Sequence, residues 1–401
     1  MSNDVANFIK QKIDSIAECI FEKIQKEEES FGLYSGESGI LLFLFYYSRF
    51  SRTKKHILIT EKFAENLLNR FLVKENLHTY CSGLSGILYL FEFLRENEFI
   101  NLDISGTQSV VENYLVSRMR QNVSERYYDF MHGALGVGLY FLKKGTNPEY
   151  IQELIEFLYK TAEKSVDNRI FKWESVVMNK NEELQTCYNF ALSHGMSSIL
   201  IFLARIVKSG ICDERITEML SGAINYVLLH EKDFSQFGSY FPNFILIDSP
   251  EDVSKSRLAW CYGDLGIGLA LWQAGKSIDK TAWEEKGLEI LLQSTQRRSF
   301  NENYVQDAEI CHGSAGVAMI FRRMYFETKM DEFKDATQYW INQTLNYSHF
   351  EDGLAGYKTR YSGGEWKLDY SLLMGISGIG LVLLSYLENN QQTWDELFLI
   401  S

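Results

Sequence analysis

Cys261 and the adjacent pair Cys311-His312 are the residues of this 401-residue chain best suited to chemistry. Two thiolates and an imidazole form a three-ligand set for Zn2+, and a tetrahedral ion held by three protein groups keeps its fourth position for water or substrate, as catalytic zinc sites do. Soft sulfur donors point to zinc among the first-row metals. No CxxC-type run links the two cysteines, so spacing alone leaves a second reading open. In that reading Cys261 and Cys311 are small buried residues and His312 is a hydrogen-bonded core histidine. A further histidine, His194, stands directly before another glycine; an imidazole takes and returns protons near neutral pH.

What brings these residues into one frame is a repeat. The phrases Gly36-Glu-Ser-Gly39, Gly83-Leu-Ser-Gly86, Gly133-Ala-Leu-Gly136, Gly195-Met-Ser-Ser198, Gly263-Asp-Leu-Gly266, Gly313-Ser-Ala-Gly316 and Gly375-Ile-Ser-Gly378 each precede an apolar run. Two residues before the first glycine stand Tyr34, Cys81, Met131, Ser193, Cys261, Cys311 and Leu373. One before it stand Ser35, Ser82, His132, His194, Tyr262, His312 and Met374. Copies five and six are neighbours, which puts Cys261 beside Cys311 and His312; Cys81, in copy two, reads as a packing residue.

The copies recur roughly every 50 to 70 residues, enough for two helices and their turns. Runs such as Ile379 to Leu384 are apolar nearly all round and predict helices packed on both sides. Segments such as Ile151, Leu154, Ile155, Leu158 and Ile216, Met219, Leu220, Ala223, Val227 are one-sided, the second opened by an N-cap at Asp213. The pattern predicts an all-α, double-layered α/α toroid of seven helical hairpins with parallel inner helices. Residues 1–401 then form a single domain with repeats starting near 32, 79, 129, 190, 257, 309 and 370. All inner N-termini gather at one end, whose partial positive charge favours thiolates and other anions. The glycine pairs permit tight turns and close backbone approach. Extra length around 168–187, 234–256 and 352–369 carries aromatic and β-branched stretches, 171–177 and 237–246 among them, which predict short β-hairpins at that same end.

Composition narrows the class. Apolar residues make up 46% and there are three prolines, so a large core is available and no stretch reads as a linker. A formal charge of -13 argues against nucleic acid as a partner. The first thirty residues form an amphipathic helix pattern and not a signal peptide, and no run is long enough to span a bilayer, which predicts a cytoplasmic protein with at most peripheral membrane association. Six cysteines in such a chain are expected to be reduced.

The blocks Arg257-Leu-Ala-Trp-Cys261-Tyr-Gly-Asp264, Ser193-His194-Gly195 and Cys311-His312-Gly313-Ser-Ala-Gly316 resemble the signature motifs of the lanthionine synthetase C-like family, the lantibiotic cyclases. The similarity runs from about Gly32 to Leu384. It implies one Zn2+ per chain on Cys261, Cys311 and His312, an active-site histidine at His194, an aspartate at Asp129, and an arginine and tyrosine at Arg257 and Tyr262. His132 shares the register of His194 but lies outside the family pattern. Ser198 departs from that pattern by replacing a glycine, and the spacing of the first three copies leaves no room for the SH2-like insertion that one member carries. The implied reaction is Michael-type addition of peptide cysteine thiols to dehydroalanine or dehydrobutyrine, giving (methyl)lanthionine thioether rings. The implied partners are a dehydrated precursor peptide, a separate dehydratase and an exporter. Two other functions fit the same metal ligands: thiol addition of the glutathione type, and a non-catalytic peptide-binding scaffold tied by zinc.

Overall fold

Each glycine phrase opens a helix buried along almost its whole length, because the apolar run has no polar face to turn to water. The structure is a computed structural model that describes residues 3–25, 30–71, 77–101, 105–179, 181–361 and 363–401. Its contacts group the chain into two compact units, Met1–Leu115 with Gln306–Ser401, and Val116–Val305. The division falls within the helix Ser105–Ser124.

In the first unit the buried helices are Glu37–Ser51, Leu84–Glu96, Ser314–Thr328 and Ile376–Glu388. Lys54–Phe71 packs behind the first and Asp331–Asn346 behind the third. The last of these buried helices takes its outer partner from the other end of the chain, since Asn3–Lys23 lays Ile9, Ile13, Ile16 and Ile20 against it. A Cβ on Gly380 would meet Ile16 and Phe43, so a glycine there lets the three helices close up. The C-terminal turn Trp394–Phe398 is buried in this unit. Tyr34 and Tyr80 both donate their hydroxyls to the Leu397 carbonyl, at 2.6 and 3.1 Å.

In the second unit the buried helices are Ala134–Lys144, Met196–Lys208 and Asp264–Ser277, followed by Pro148–Thr161, Glu214–Leu228 and Thr281–Ser294. Asp213 caps its helix as expected, accepting from the Arg215 N–H at 3.0 Å. Strand Glu174–Met178 pairs antiparallel with Leu184–Asn189, which pairs with Phe244–Leu246. The expected hairpin at 237–246 is thus reduced to its last three residues; Asp233 and Gly238 instead bound the short helix Phe234–Phe237. Asp264 is wholly buried, where it accepts from the backbone of Tyr240 and Phe241 and from Arg297 at 2.9, 3.0 and 3.1 Å. Among the described residues no helix is long and apolar enough to cross a membrane.

The loops before five of the buried helices follow one plan. The first helical N–H of Glu37, Leu84, Ala134, Ser314 and Ile376 donates to the carbonyl seven residues earlier, at 2.8 to 3.1 Å. The second glycine of the phrase accepts this folding-back: a Cβ on Gly316 would collide with the Ile310 carbonyl. In these five copies the loop satisfies the first orphan donor of the helix, and the dipole field that favours anions is left. The register two before the glycine is a hydrogen-bonded ladder within the first unit. Cys311 N–H donates to Leu373, Leu373 to Tyr34, and Tyr34 to Cys81, at 3.2, 3.0 and 2.8 Å. In the second unit Ser193 N–H likewise donates to the Cys261 carbonyl, at 3.2 Å.

Candidate active site

Position four before the first glycine carries a side chain that folds over the loop and caps the N–H three residues on. Thr79 and Ser371 do this with hydroxyls, toward Ser82 and Met374, at 3.2 and 3.4 Å. Asp129 and Glu309 do it with carboxylates, toward His132 and His312, at 2.8 and 2.7 Å. A carboxylate has a second oxygen to offer, and in both places a histidine ring is near.

Asp129 Oδ2 lies 2.8 Å from His194 Nδ1. Asp129 is buried and His194 is one-third exposed. Burial disfavours the imidazolium, but the Asp129 hydrogen bond and charge, with a contribution from Cys261, outweigh it, and the His194 pKa rises above its ordinary 6.5. The carboxylate accepts Nδ1–H, which makes Nε2 the unprotonated nitrogen of the neutral ring. His132 stacks on His194 with ring centroids 5.7 Å apart. Burial lowers the His132 pKa against the pull of Asp129, and the neighbouring His194 lowers it further. The pKa values of the two stacked histidines are thus displaced in opposite directions.

Tyr262 follows Cys261, and its hydroxyl is 3.5 Å from Asn189 Nδ2. Burial pushes Tyr262 up to about 12 even though Asn189 favours the ionised form, so it is a hydrogen-bond donor at neutral pH. The Cys261 carbonyl accepts from Leu192 and Ser193 N–H and from Ser193 Oγ, at 3.1, 3.2 and 3.2 Å, which pins the loop that carries the thiol. The turn after it needs Gly263, whose φ of 96° lies in the region that favours glycine. Arg257 is half-buried, and its guanidinium has no hydrogen bond or ion pair among the described residues. A cleft of about 620 Å³ includes Asp129 and His194 in its lining, with Tyr127, Tyr128, Trp173, Glu174 and Thr186 around them.

In the first unit Glu309 is almost fully buried and holds the segment of Cys311 and His312 from three sides. It accepts the backbone N–H of both residues, and its Oε1 lies 3.1 Å from His312 Nδ1. Asp307 completes a group of possible metal-ligating side chains with Glu309 and His312, their ligand atoms within 4.8 Å of one another. All six cysteines are free of disulfides. Glu309, Asp307 and Asn189 were not among the sequence candidates. Glu309 was findable, because it occupies the same register position as Asp129.

A family model described as lanthionine synthetase C-like protein matches residues 27–399. The chain is similar to the nisin biosynthesis protein NisC of Lactococcus lactis subsp. lactis, 24% identical over 415 residues that cover 94% of this chain and 92% of that protein. It is also similar to the solved structure of nisin cyclase, with a TM-score of 0.75 and 20% identity over 100% of this chain and 98% of that one. The structural likeness carries the fold, the α/α toroid expected from the repeat.

Proposed function

The chain belongs to the lanthionine synthetase C-like family, and from that premise we propose that it is a zinc-dependent peptide cyclase that forms (methyl)lanthionine rings, with residues 1–401 serving as one catalytic domain. The observation that carries the reading is the Asp129–His194 pair in the lining of a cleft large enough for a peptide segment.

Cys261, Cys311 and His312 would hold the zinc. Their chemistry fits it: two thiols outside any disulfide and an imidazole whose Nδ1 is met by a buried carboxylate, which would leave Nε2 available to a metal. Bound there, zinc supplies a Lewis acid that makes a substrate cysteine, ordinarily of pKa about 8.5, a thiolate at neutral pH. His194 Nε2 takes the thiol proton. The sulfur then forms its bond to the β-carbon of the dehydroamino acid, the π pair moves toward the carbonyl as an enolate, and His194 returns a proton to the α-carbon. Tyr262, held protonated, donates to the developing enolate oxygen, and Arg257 offsets its charge. Asp129 keeps the His194 ring in one tautomer through the cycle. In this reading the enzyme works in the cytoplasm on a dehydrated precursor peptide, between a separate dehydratase and an exporter.

Cyclisation leaves mass unchanged, so the test is loss of alkylatable thiols from a dehydrated precursor peptide. Cys261→Ala and Cys311→Ala are expected to lose both bound zinc by elemental analysis and thiol consumption. His194→Asn is expected to keep the metal and lose the rate. A His194→Asn enzyme that cyclises normally refutes the proton-carrying role.

A further inference from the structure

The cleft beside His194 has one wall that is neither helix nor loop. Strand Glu174–Met178 is the outer strand of a three-stranded sheet, paired on one side with Leu184–Asn189 and, among the described residues, with no strand on the other. Glu174, Ser175, Val176 and Thr186 line the cleft that also holds Asp129 and His194. On the exposed face Val176 stands opposite Thr186, and Met178 opposite Leu184. Val176, Met178 and Leu184 are 56%, 67% and 73% exposed, a row of apolar side chains that water does not favour. An open edge of this kind is a template for an added strand, and proteins that do not use one usually blunt it with lysine or proline. Neither residue occurs between Glu174 and Met178.

The charge of the cleft selects the occupant. Glu125, Asp129, Glu163 and Glu174 line it against one permanent cation, Arg126, and the imidazole of His194. Glu163 is partly balanced by Lys172 at 3.4 Å, whereas Glu174 has no ion pair among the described residues. Resting on the cyclase reading of the site, we propose that strand Glu174–Met178 binds an extended, cationic stretch of the peptide substrate by strand addition. Backbone hydrogen bonds then fix its direction, Val176, Met178 and Leu184 take its apolar side chains, and Glu125 and Glu174 take its lysines or arginines. A strand laid along this edge enters the cleft that His194 lines, so a cysteine or dehydroamino acid next to the bound stretch is delivered to the proton carrier. Grip on the chain backbone also suits an enzyme that must accept several ring positions along one peptide, because backbone pairing is indifferent to sequence while charge keeps the partner class narrow.

The probe is a fluorescein-labelled synthetic peptide holding one cysteine, one dehydroalanine and two lysines, against a twin with glutamates in place of the lysines. Fluorescence anisotropy on the zinc-loaded enzyme is expected to show at least tenfold tighter binding of the lysine peptide. The exposed double substitution Glu125→Lys with Glu174→Lys is expected to reverse that preference. Hydrogen exchange is expected to show new protection at residues 174–178 when the lysine peptide binds, and Val176→Pro to weaken both peptides. Equal affinity for the two peptides, an unmoved preference in the double variant, or protection confined to other segments overturns the proposal. Binding with the expected charge preference but no thiol loss in the wild type would instead refute the cyclase reading and leave the docking strand standing.

Discussion

Replacing Asp129 with asparagine changes one atom and should cost the enzyme its proton carrier. In the wild type, Oδ1 accepts the His132 N–H at 2.8 Å and Oδ2 lies 2.8 Å from His194 Nδ1. An asparagine can keep only one of these relations. If its oxygen stays on the His132 N–H, its amide N–H2 faces Nδ1, which must become an acceptor, and the ring proton moves to Nε2. If it flips, two donors meet at His132. The first arrangement is the cheaper one, and it leaves Nε2 unable to take a thiol proton. A charge-assisted hydrogen bond contributes about 1.5–3 kcal/mol, and the one-third exposure of His194 places this one near the lower end. The rate effect is larger, roughly the 10²- to 10⁴-fold that positioned acid–base groups supply. Without the carboxylate, burial acts on His194 unopposed by its main partner, so its pKa falls. The sign for stability follows: the wild-type advantage is fully present below the ordinary value of 6.5 and is lost as pH rises through the raised folded pKa. The assay pairs thiol loss against pH with long-range 1H–15N correlation of the histidine ring. An Asp129→Asn enzyme that retains Nδ1–H and an unshifted pH profile refutes the orientation argument.

Glu309→Gln should leave the fold intact but weaken zinc about 10- to 100-fold, read by competition with a chromophoric chelator, because the carboxylate that meets His312 Nδ1 is gone. Gly316→Ala should lower stability by about 1–3 kcal/mol in chemical denaturation. The Ile310 carbonyl it would strike cannot retreat without pulling the Ile310 and Cys311 N–H groups off Leu373. Ser198→Gly, at the matching position of copy four, removes the CH2OH group whose hydroxyl donates to the Gly195 carbonyl at 2.7 Å, and with the added backbone freedom of glycine should lower stability by about 1 kcal/mol. Asp264→Ala strands the buried Arg297 guanidinium and should cost about 3–5 kcal/mol, seen as a fall in Tm.

The fold was readable because the repeat is written in residues that backbone collisions make obligatory. Gly86 and Gly316 sit against the carbonyls of Tyr80 and Ile310, and any side chain there would push the loop out of place. The buried helices were readable for a similar reason, since Ile379 to Leu384 offers no face to solvent. What the pattern could not reveal was long-range pairing. The amphipathic stripe of Asn3–Lys23 says that a helix will be covered on one face, but not that the cover is Ile376–Glu388. The stretch 237–246 looked like a hairpin because aromatic residues suit strands, whereas the Asp233 cap, accepting from Ser235 N–H, starts a helical turn first. The structure joins Asp129 and His194 through Oδ2 and Nδ1. Glu309 escaped notice because an acid ahead of a helix reads as ordinary dipole complementarity, and only the shared register with Asp129 distinguishes it.

That register explains how a repeated turn came to carry chemistry. The loop carbonyls already satisfy the helix starts, and the glycines already permit the close approach, so the side chains at one, two and four residues before the glycine are not needed to hold the turn together. At the fourth of these positions back, a hydroxyl is enough for the cap, as Thr79 and Ser371 show. A carboxylate makes the same cap and has an oxygen left over; Asp129 turns it to His194, whereas Glu309 turns it to the Cys311 N–H and meets the His312 ring with the oxygen that caps. Under the proposed function, both histidines are therefore oriented by a carboxylate cap that stands in copies three and six where copies two and seven have a hydroxyl. Chemistry at these turns adds charge to the repeat without altering its backbone, which is why the catalytic residues can differ from copy to copy while the helices behind them stay alike.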